Sequence, residues 1–436
     1  MVSIFQITNF RSIQDTFEFT LEAEAGQSKQ ENLFEIDVAG GQKLRLLKSA
    51  VIYGPNASGK TNFIRALYNL TEFIKKSKEI RAESPIPYYE PFVFDVKAEQ
   101  APCKFFIEFL MPGQEAYVRY RYQIEFNREE ILSEELDYYP KGQKQSLFKR
   151  VVDRDASAVL HTGRLGKNLG YKEYSLFKNQ LFLSQFGGDI PHELLTGVYL
   201  YFNTIEVWNA LDVNRISSLR EEIADELLRP ENHHLLSRMN KLLRIADTRI
   251  NSISIEEDSE DDRPVGTKRG KMSRIGNREG SRISASHTLY DKGVEVGVKE
   301  LPLRQESAGT NVLFALGGII LKRLEKGGVL FFDELDNSLH PKLSKFLVRL
   351  FNNPISNSQN AQLVVATHEV TLLDKEVFRK DQIWFCEKDK FGSTEIFSAK
   401  DFDGVRDDTP FDKWYMNGKF GGQPKIKELE FIFNNE

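Results

Sequence analysis

The 436-residue chain has only two cysteines, Cys103 and Cys386. They stand far apart, with neither a CxxC nor a metal-ligand spacing, which excludes a disulfide framework and a cysteine-bound zinc site and points to a reducing compartment. No apolar run approaches the roughly 18 residues of a membrane span, and MVSIFQITNFRSIQ carries an early arginine without the long apolar centre of a signal peptide. A soluble, cytoplasmic protein with no membrane partner is expected. Basic charge is not in excess either. Lys plus Arg number 59 against 64 Asp plus Glu, and the net charge of −5 gives no whole-molecule attraction to nucleic acid. No a/d heptad persists over several repeats, which argues against long coiled-coil arms.

What is present is globular: 40% apolar and 28% charged residues, on a chain too long for a single ordinary core. The first 53 residues read as strands, FQITNF, TFEFTLEA, LFEIDV and LLKSAVIYG. After Gly59 the period becomes 3.6, and Phe63, Ile64, Leu67, Leu70, Phe73 and Ile74 share one helix face. From about Pro91 to Tyr139, FVFDV, CKFFIEFLM, YVRYRYQIEFN and EEILSEELDYY alternate as an antiparallel meander with one wet face, an arm beside the core. From about Leu176 to Ile250 the text is helical, in VYLYFNTIEVWNAL, SSLREEIADELL and HHLLSRMNKLLRIADTRI, with a break at Arg229-Pro230. Residues 256–282 shift from acidic to basic with almost nothing apolar, which predicts a mobile surface insertion. Thereafter apolar strands alternate with amphipathic helices, the pattern of a mainly parallel sheet covered on both faces. The expected organisation is 1–90 as the first part of a nucleotide core, 91–175 as a β arm, 176–255 as a helical subdomain, 256–283 as the charged insertion and 284–436 as the rest of the core. The fold class is α/β.

Within this frame VIYGPNASGKTN matches GxxxxGK(S/T) over Gly54, Pro55, Asn56, Ala57, Ser58, Gly59, Lys60 and Thr61, between a predicted strand and a predicted helix. Such a loop bends its backbone N–H groups toward the phosphates of a nucleotide, and the helix start adds positive potential. Lys60 then bridges the β- and γ-phosphates and Thr61 holds Mg²⁺. GGVLFFDELDNSLHP carries an apolar strand into Asp333 and Glu334, which suit the Mg²⁺ shell and a general base for water. Asp336 either caps the next helix or meets a partner. QLVVATH ends a second apolar strand in His368, placed to sense the γ-phosphate. ESAGT, Glu306 to Thr310, opens a buried helix; Ser307 can cap it or meet phosphate.

These stretches, NFRS (Asn9 to Ser12), GPNASGKTN, ESAGT, FFDELDNSLHP and ATHE, resemble an ABC-type ATPase head. More narrowly they resemble the SMC-like and OLD-like ATPases of bacterial anti-phage abortive-infection systems. YMNGKFGGQP is similar to the closing segment of RloA/AbiL-type ATPases, and the plan is similar to the PARIS ATPase. The resemblance implies a P-loop NTPase head that binds ATP and Mg²⁺ and pairs with a second head as a homodimer or higher even-numbered homo-oligomer. In that plan Arg11 lies near the nucleotide, Gly54 to Asn62 wrap it, Thr61 and Asp333 serve the metal, and Lys60, Glu334 and His368 are catalytic. Ser307 and Gly309 touch the γ-phosphate held by the opposite head, with Asp336 at the same border. ESAGT stands where transporters carry LSGGQ, and neither Gln123 nor Gln185 is singled out as the Q-loop glutamine. The partners implied are a separately encoded effector, of RloB type or a Toprim nuclease, and a phage trigger protein. Nucleic acid is a further candidate through residues 263–282. The function so implied is the sensor and regulatory subunit of such a system; the alternative is a RecF/SMC-like ATPase binding DNA in repair or recombination. A nuclease within this chain is disfavoured, because too few residues follow His368 for a Toprim domain, and Asp401 and Asp403 read as surface loop.

Overall fold

The computed structural model describes residues 1–152, 158–161, 176–188, 191–209, 213–246, 249–257, 281–335 and 339–423. The insertion core (258–280), with the nucleic-acid candidate at 263–282 up to residue 280, and Asp336 lie outside them. In chain order the strands are β1 (Val2–Thr8), β2 (Phe17–Thr20), β3 (Leu33–Val38), β4 (Gln42–Leu47), β5 (Ser49–Tyr53), β6 (Cys103–Pro112), β7 (Tyr117–Phe126), β8 (Ile131–Tyr139), β9 (Gln145–Val152), β10 (Ala158–His161), β11 (Ile205–Asn209), β12 (Ser252–Glu257), β13 (Ser281–Asp291), β14 (Val294–Pro302), β15 (Val329–Asp333), β16 (Gln362–Thr367), β17 (Ile383–Lys388) and β18 (Thr394–Ser398). The α-helices are α1 (Lys60–Lys76), α2 (Val96–Gln100), α3 (Leu195–Phe202), α4 (Val213–Leu228), α5 (His233–Ile245), α6 (Ala308–Lys326), α7 (Pro341–Asn352) and α8 (Phe411–Met416). Among the described residues no helix is long and apolar enough to cross a membrane.

The chain divides into two compact units. The first comprises 1–209, 326–336 and 344–436; the second comprises 210–325 and 337–343.

In the first unit six strands form one sheet in the order β11-β15-β16-β5-β17-β18, parallel except for β18. The strands β5, β15 and β16 are buried at every position, as expected where helices cover both faces. A nine-stranded sheet, largely antiparallel, runs β10-β9-β8-β7-β6-β1-β2, with β3 and β4 joined to it. The meander expected to stand apart as an arm therefore continues the N-terminal strands, because β1 pairs with β6 from Val2 to Thr8. α1 lies between the two sheets. Its Phe63 ring is 6.1 Å from Phe5 and 5.1 Å from Phe19 on one side and 6.3 Å from Phe331 of β15 on the other. Gln362, fully buried in β16, ties the sheets together: it accepts from the Val2 N–H at 2.7 Å and donates to the carbonyls of Val2 and Leu47.

Two local expectations are corrected. VYLYFNTIEVWNAL is not one helix, since α3 stops at Phe202 and IEVWN becomes β11, the edge partner of β15. Ile205 and Val207 are buried while Glu206 and Trp208 are only partly so, and pairing with β15 satisfies the backbone, so the period of two prevails over the helical frame. FVFDV is not a strand. Asp95 accepts from the Lys97 and Ala98 N–H groups at 2.9 and 2.8 Å and starts α2, a use of aspartate that strand periodicity ignores.

The second unit holds α4, α5, α6 and the three-stranded sheet β12-β13-β14. The borders of the predicted insertion are ordered, because Glu256 and Glu257 pair with Arg282 and Ser281 in the β12–β13 ladder. α6 is apolar on nearly all sides, and its Gly317 and Gly318 let α4 and α5 approach closely. A Cβ on Gly318 would lie 2.4 Å from Ile223 Cγ2, and one on Gly317 2.5 Å from Leu242 Cδ2. Gly318→Ala is therefore expected to destabilise the protein by about 1–3 kcal/mol in urea unfolding, although alanine is ordinarily the better helix former. In an Ile223→Ala background the same change should cost less, and additivity of the two would show that no such contact limits α6.

Candidate nucleotide site

The phosphate-loop motif runs from the carboxyl end of β5 into the amino end of α1, with Gly54, Ser58, Gly59 and Lys60 buried and Asn56, Ala57 and Thr61 exposed. Gly59 caps α1 at φ 113°, and no side chain caps the helix start. Its first N–H groups thus face outward with the positive end of the helix dipole, and no acidic residue occupies the first turn. Ala57 is also left-handed, at φ 64°. The two glycines are sterically required. A Cβ at Gly54 would stand 2.3 Å from the Cys386 carbonyl, and one at Gly59 2.2 Å from Thr394 Oγ1. Lys60 Nζ donates to the carbonyls of Gly54 and Pro55 at 2.7 and 3.0 Å, so its charge is folded back over the loop.

Contacts from residues outside the motif hold this loop. Thr394 Oγ1 donates to the Ser58 carbonyl at 2.9 Å and shares a hydrogen bond with Ser12 Oγ at 2.7 Å, and the Cys386 thiol donates to the Ser58 carbonyl. Burial against this backbone pushes the Cys386 thiol up to about 11, so it stays protonated and serves as a donor. Asn62 donates to Ser12 Oγ at 2.7 Å and accepts from the Arg11 guanidinium at 2.9 Å. Arg11 also pairs with Glu90, and its N–H donates to the Glu90 carbonyl. NFRS works as a turn: Asn9 and Arg11 are left-handed at φ 53° and 51°, and the Asn9 amide donates to the carbonyls of Ala98 and Ala101. Thr394, Cys386 and Glu90 belong to no motif; the sheet order that sets β17 beside β5 and β18 beside β17 brings the first two here. A cavity of about 400 Å³ opens alongside, bordered by Arg11, Asn62, Glu90, Phe94 and Lys388.

Asp333 and His368 sit at the same end of the sheet. Asp333 pairs in register with Ala366, and Ala366 with Ile52, two residues before Gly54. The strand carrying Asp333 is not the direct neighbour of the phosphate-loop strand: β16 intervenes, and two strand spacings put the Asp333 backbone about 10 Å from that of Ile52. The intervening strand ends at Thr367 and His368 follows it directly, between the other two strand ends. Asp333 is buried and His368 exposed. Glu334 is left-handed at φ 60°, and its N–H donates to the Ala366 carbonyl at 2.9 Å. A glutamate in this conformation costs about 1 kcal/mol or more, which the ladder contact offsets.

Ser307, Gly309 and Glu306 belong to the second unit. Ser307 Oγ accepts from the Thr310 N–H at 3.1 Å and meets Thr310 Oγ1 at 2.8 Å, so the serine caps α6. Glu306, which the motif leaves unexplained, has a partner: its carboxylate lies 2.8 Å from His287 Nε2 on β13. Gln123 is occupied in β7, donating to Glu135 at 3.0 Å, and Gln185 lies in a 3₁₀ turn, Leu183–Gly187. Asp401 accepts from the Ser398 N–H as a local cap, in keeping with a loop role. Among the described residues no cluster of His, Cys, Asp or Glu has the makings of a preformed metal cage.

A strand, a left-handed glycine turn with a buried lysine and an uncapped helix start, at the carboxyl edge of a parallel sheet, define a P-loop NTPase. The family described as "AAA domain, putative AbiEii toxin, Type IV TA system" matches residues 49–374, and the chain belongs to it. Among solved structures, the SMC head domain from Thermotoga maritima is similar at 13% identity and a TM-score of 0.38, covering 91% of this chain and 98% of that one. The Smc head domain with an extended coiled coil bound to the C-terminal domain of ScpA, from Pyrococcus furiosus, has the same identity and TM-score, covering 91% and 96%. No curated protein matches.

Gly59→Ala is expected to lower stability by several kcal/mol in urea, because it adds a contact with Thr394 to a strained φ. Gly41→Ala, also at positive φ but with open space around it, should cost markedly less. Thr394→Ala should restore part of the Gly59→Ala loss; equal costs at the two glycines would remove the packing argument.

Proposed function

We propose that this chain is an ATP-binding and ATP-hydrolysing head of ABC type, the sensor and regulatory assembly subunit of a bacterial anti-phage, abortive-infection system. In this reading it controls a separately encoded toxic effector, such as a nuclease. The observation that carries the catalytic part is the meeting of three strand ends, β5 with its tightly packed phosphate loop, β15 with buried Asp333 and β16 with His368. The defence part is supported by the family description, whose words name a putative AbiEii toxin and a Type IV TA system.

The loop fits a phosphate chain. Its outward N–H groups and the positive helix start favour anions, and Lys60 can exchange the Gly54 and Pro55 carbonyls for phosphate oxygens. Arg11, Asn62, Phe94 and Lys388 offer cations, an amide and an aromatic face beside it, suited to the base and ribose of ATP. Thr61 and Asp333 are the residues that would hold Mg²⁺, which supplies charge neutralisation when bound. Glu334 takes the role of general base for water and His368 that of the group that detects the γ-phosphate, roles supported by their place at the ends of β15 and β16. Ser307 and Gly309, at the start of α6, are assigned to the nucleotide of a second head, so that ATP joins two copies and its hydrolysis releases them. Glu306 would be restrained by His287 from repelling that phosphate.

Glu334→Gln should retain ATP binding, lose turnover by at least about 100-fold and accumulate a joined assembly in Mg-ATP, seen as a larger mass in light scattering. Lys60→Ala should bind ATP weakly and form no such assembly. If Glu334→Gln under saturating Mg-ATP dissociated as readily as the unaltered chain, the gating role would be lost. For the DNA-binding alternative, reversing the charges of Lys268, Arg269, Lys271 and Arg274 is the corresponding test: nucleic-acid binding with unchanged salt dependence would remove that segment from the case.

A further inference from the structure

The start of α6 is accessible from outside the chain. Ser307 and Ala308 are exposed, and helix geometry leaves the N–H groups of Ala308 and Gly309 without a partner inside α6. One turn further along stands a side chain that belongs to no motif. The Asn311 amide nitrogen donates to the carbonyls of Leu303, Glu306 and Ser307, each at 3.1 Å, and its oxygen accepts from the Arg220 guanidinium of α4 at 2.8 Å. Both side chains are half-buried.

This network has a single orientation. A guanidinium can only donate and a carbonyl can only accept, so Arg220 dictates which end of the Asn311 amide faces the turn. The amide then ties the 3₁₀ turn Leu303–Gln305 to the first turn of the helix. Carbonyl oxygens carry partial negative charge and oppose a phosphate. Gathered on one amide, three of them have their charge answered by N–H groups and, one bond further, by a cation. The formal charge in the turn, Glu306, is taken up separately by His287 of β13 at 2.8 Å. What remains outward is the pair of open N–H groups and the Ser307 hydroxyl. We infer that Asn311, oriented by Arg220, is the positioning residue of the contact between one copy's α6 and the γ-phosphate bound by another; this rests on the proposed assignment of Ser307 and Gly309 to a second head. Asn311 touches no nucleotide itself. It acts on the opposite copy alone, because every group it holds belongs to the turn that is offered and none to its own phosphate loop.

The test separates the two copies. ADP lacks the γ-phosphate, so its binding reads the phosphate loop of one copy, whereas the mass in Mg-ATP of chains carrying Glu334→Gln reads joining. In that background Asn311→Ala and Asn311→Asp should leave ADP affinity unchanged and raise the ATP concentration needed for joining roughly ten-fold or more, since three carbonyls lose their donor. Arg220→Met, which frees the amide to turn over, should weaken joining in the same sense. Copies with Asn311→Asp and copies with Lys60→Ala, all also carrying Glu334→Gln, should each stay apart at an ATP concentration that joins Glu334→Gln itself. Mixed, they should join, because the intact loop of the first meets the intact turn of the second. A mixture that stays apart, Asn311 variants that join as readily as their background, or a loss of ADP affinity in them would each overturn the role of Asn311. Glu334→Gln copies that never join would instead remove the head pairing on which that role rests.

Discussion

Phe63 is the point at which the two sheets of the first unit meet. It sits on the first turn of α1, three residues after Lys60, and its ring touches Phe5, Phe17 and Phe19 of one sheet and Phe331 of the other. Each such aromatic contact adds about 0.5–1.5 kcal/mol beyond the area it buries. The consequence is positional. Whatever holds Phe63 also holds the start of the helix, and the phosphate loop is the segment directly before it. Trp384 of β17 packs on the same Phe17 and Phe19, so the strand that supports the loop from below is anchored to the same cluster.

The loop itself is shaped by close approach. Gly54 lies under the Cys386 carbonyl and Gly59 under Thr394, so strand β17 and strand β18 form a floor that only glycine permits. Beside that floor the chain holds Asn9, Arg11, Ala57 and Glu334 in the left-handed region, four non-glycine residues around one sheet end. Strain of this kind persists where the surroundings over-determine it. Here the surroundings are the Asn9 amide contacts, the Arg11–Glu90 pair and the Glu334–Ala366 ladder bond. The tail completes the support: Phe420 stacks on Phe385 at 4.6 Å and Tyr415 donates to the Gly422 carbonyl, closing YMNGKFGG over β17.

In the second unit polar groups settle orientation. Ser307 caps α6, Asn311 donates to the Leu303, Glu306 and Ser307 carbonyls, and Arg220 holds the other side of that amide. Glu306, read alone, is an acid at an anion-binding helix start. Paired with His287 it becomes part of the strand-to-helix connection, and the unfavourable charge is partly answered from β13.

Much of the core was legible because its signals are local. The run from Val51 to Thr61 names a strand, a turn and a helix by residue type alone, and the four apolar residues before Asp333 and the strand before His368 announce buried parallel strands. The roles of Thr394, Cys386 and Glu90 were not legible, since each acts through a neighbour hundreds of residues away in sequence or through backbone atoms. IEVWN and FVFDV misled for a related reason: pairing with β15 in the first and an aspartate cap in the second outweighed the periodicity of the flanking text. The sequence by itself determined the phosphate loop, its lysine and the acid at the end of an apolar strand, because local backbone chemistry requires those residue types in that order. Only the tertiary structure decided that β16 lies between β5 and β15 and that β17 and β18 support the phosphate loop, because strand order is set by long-range pairing, which leaves no mark on any one stretch of chain.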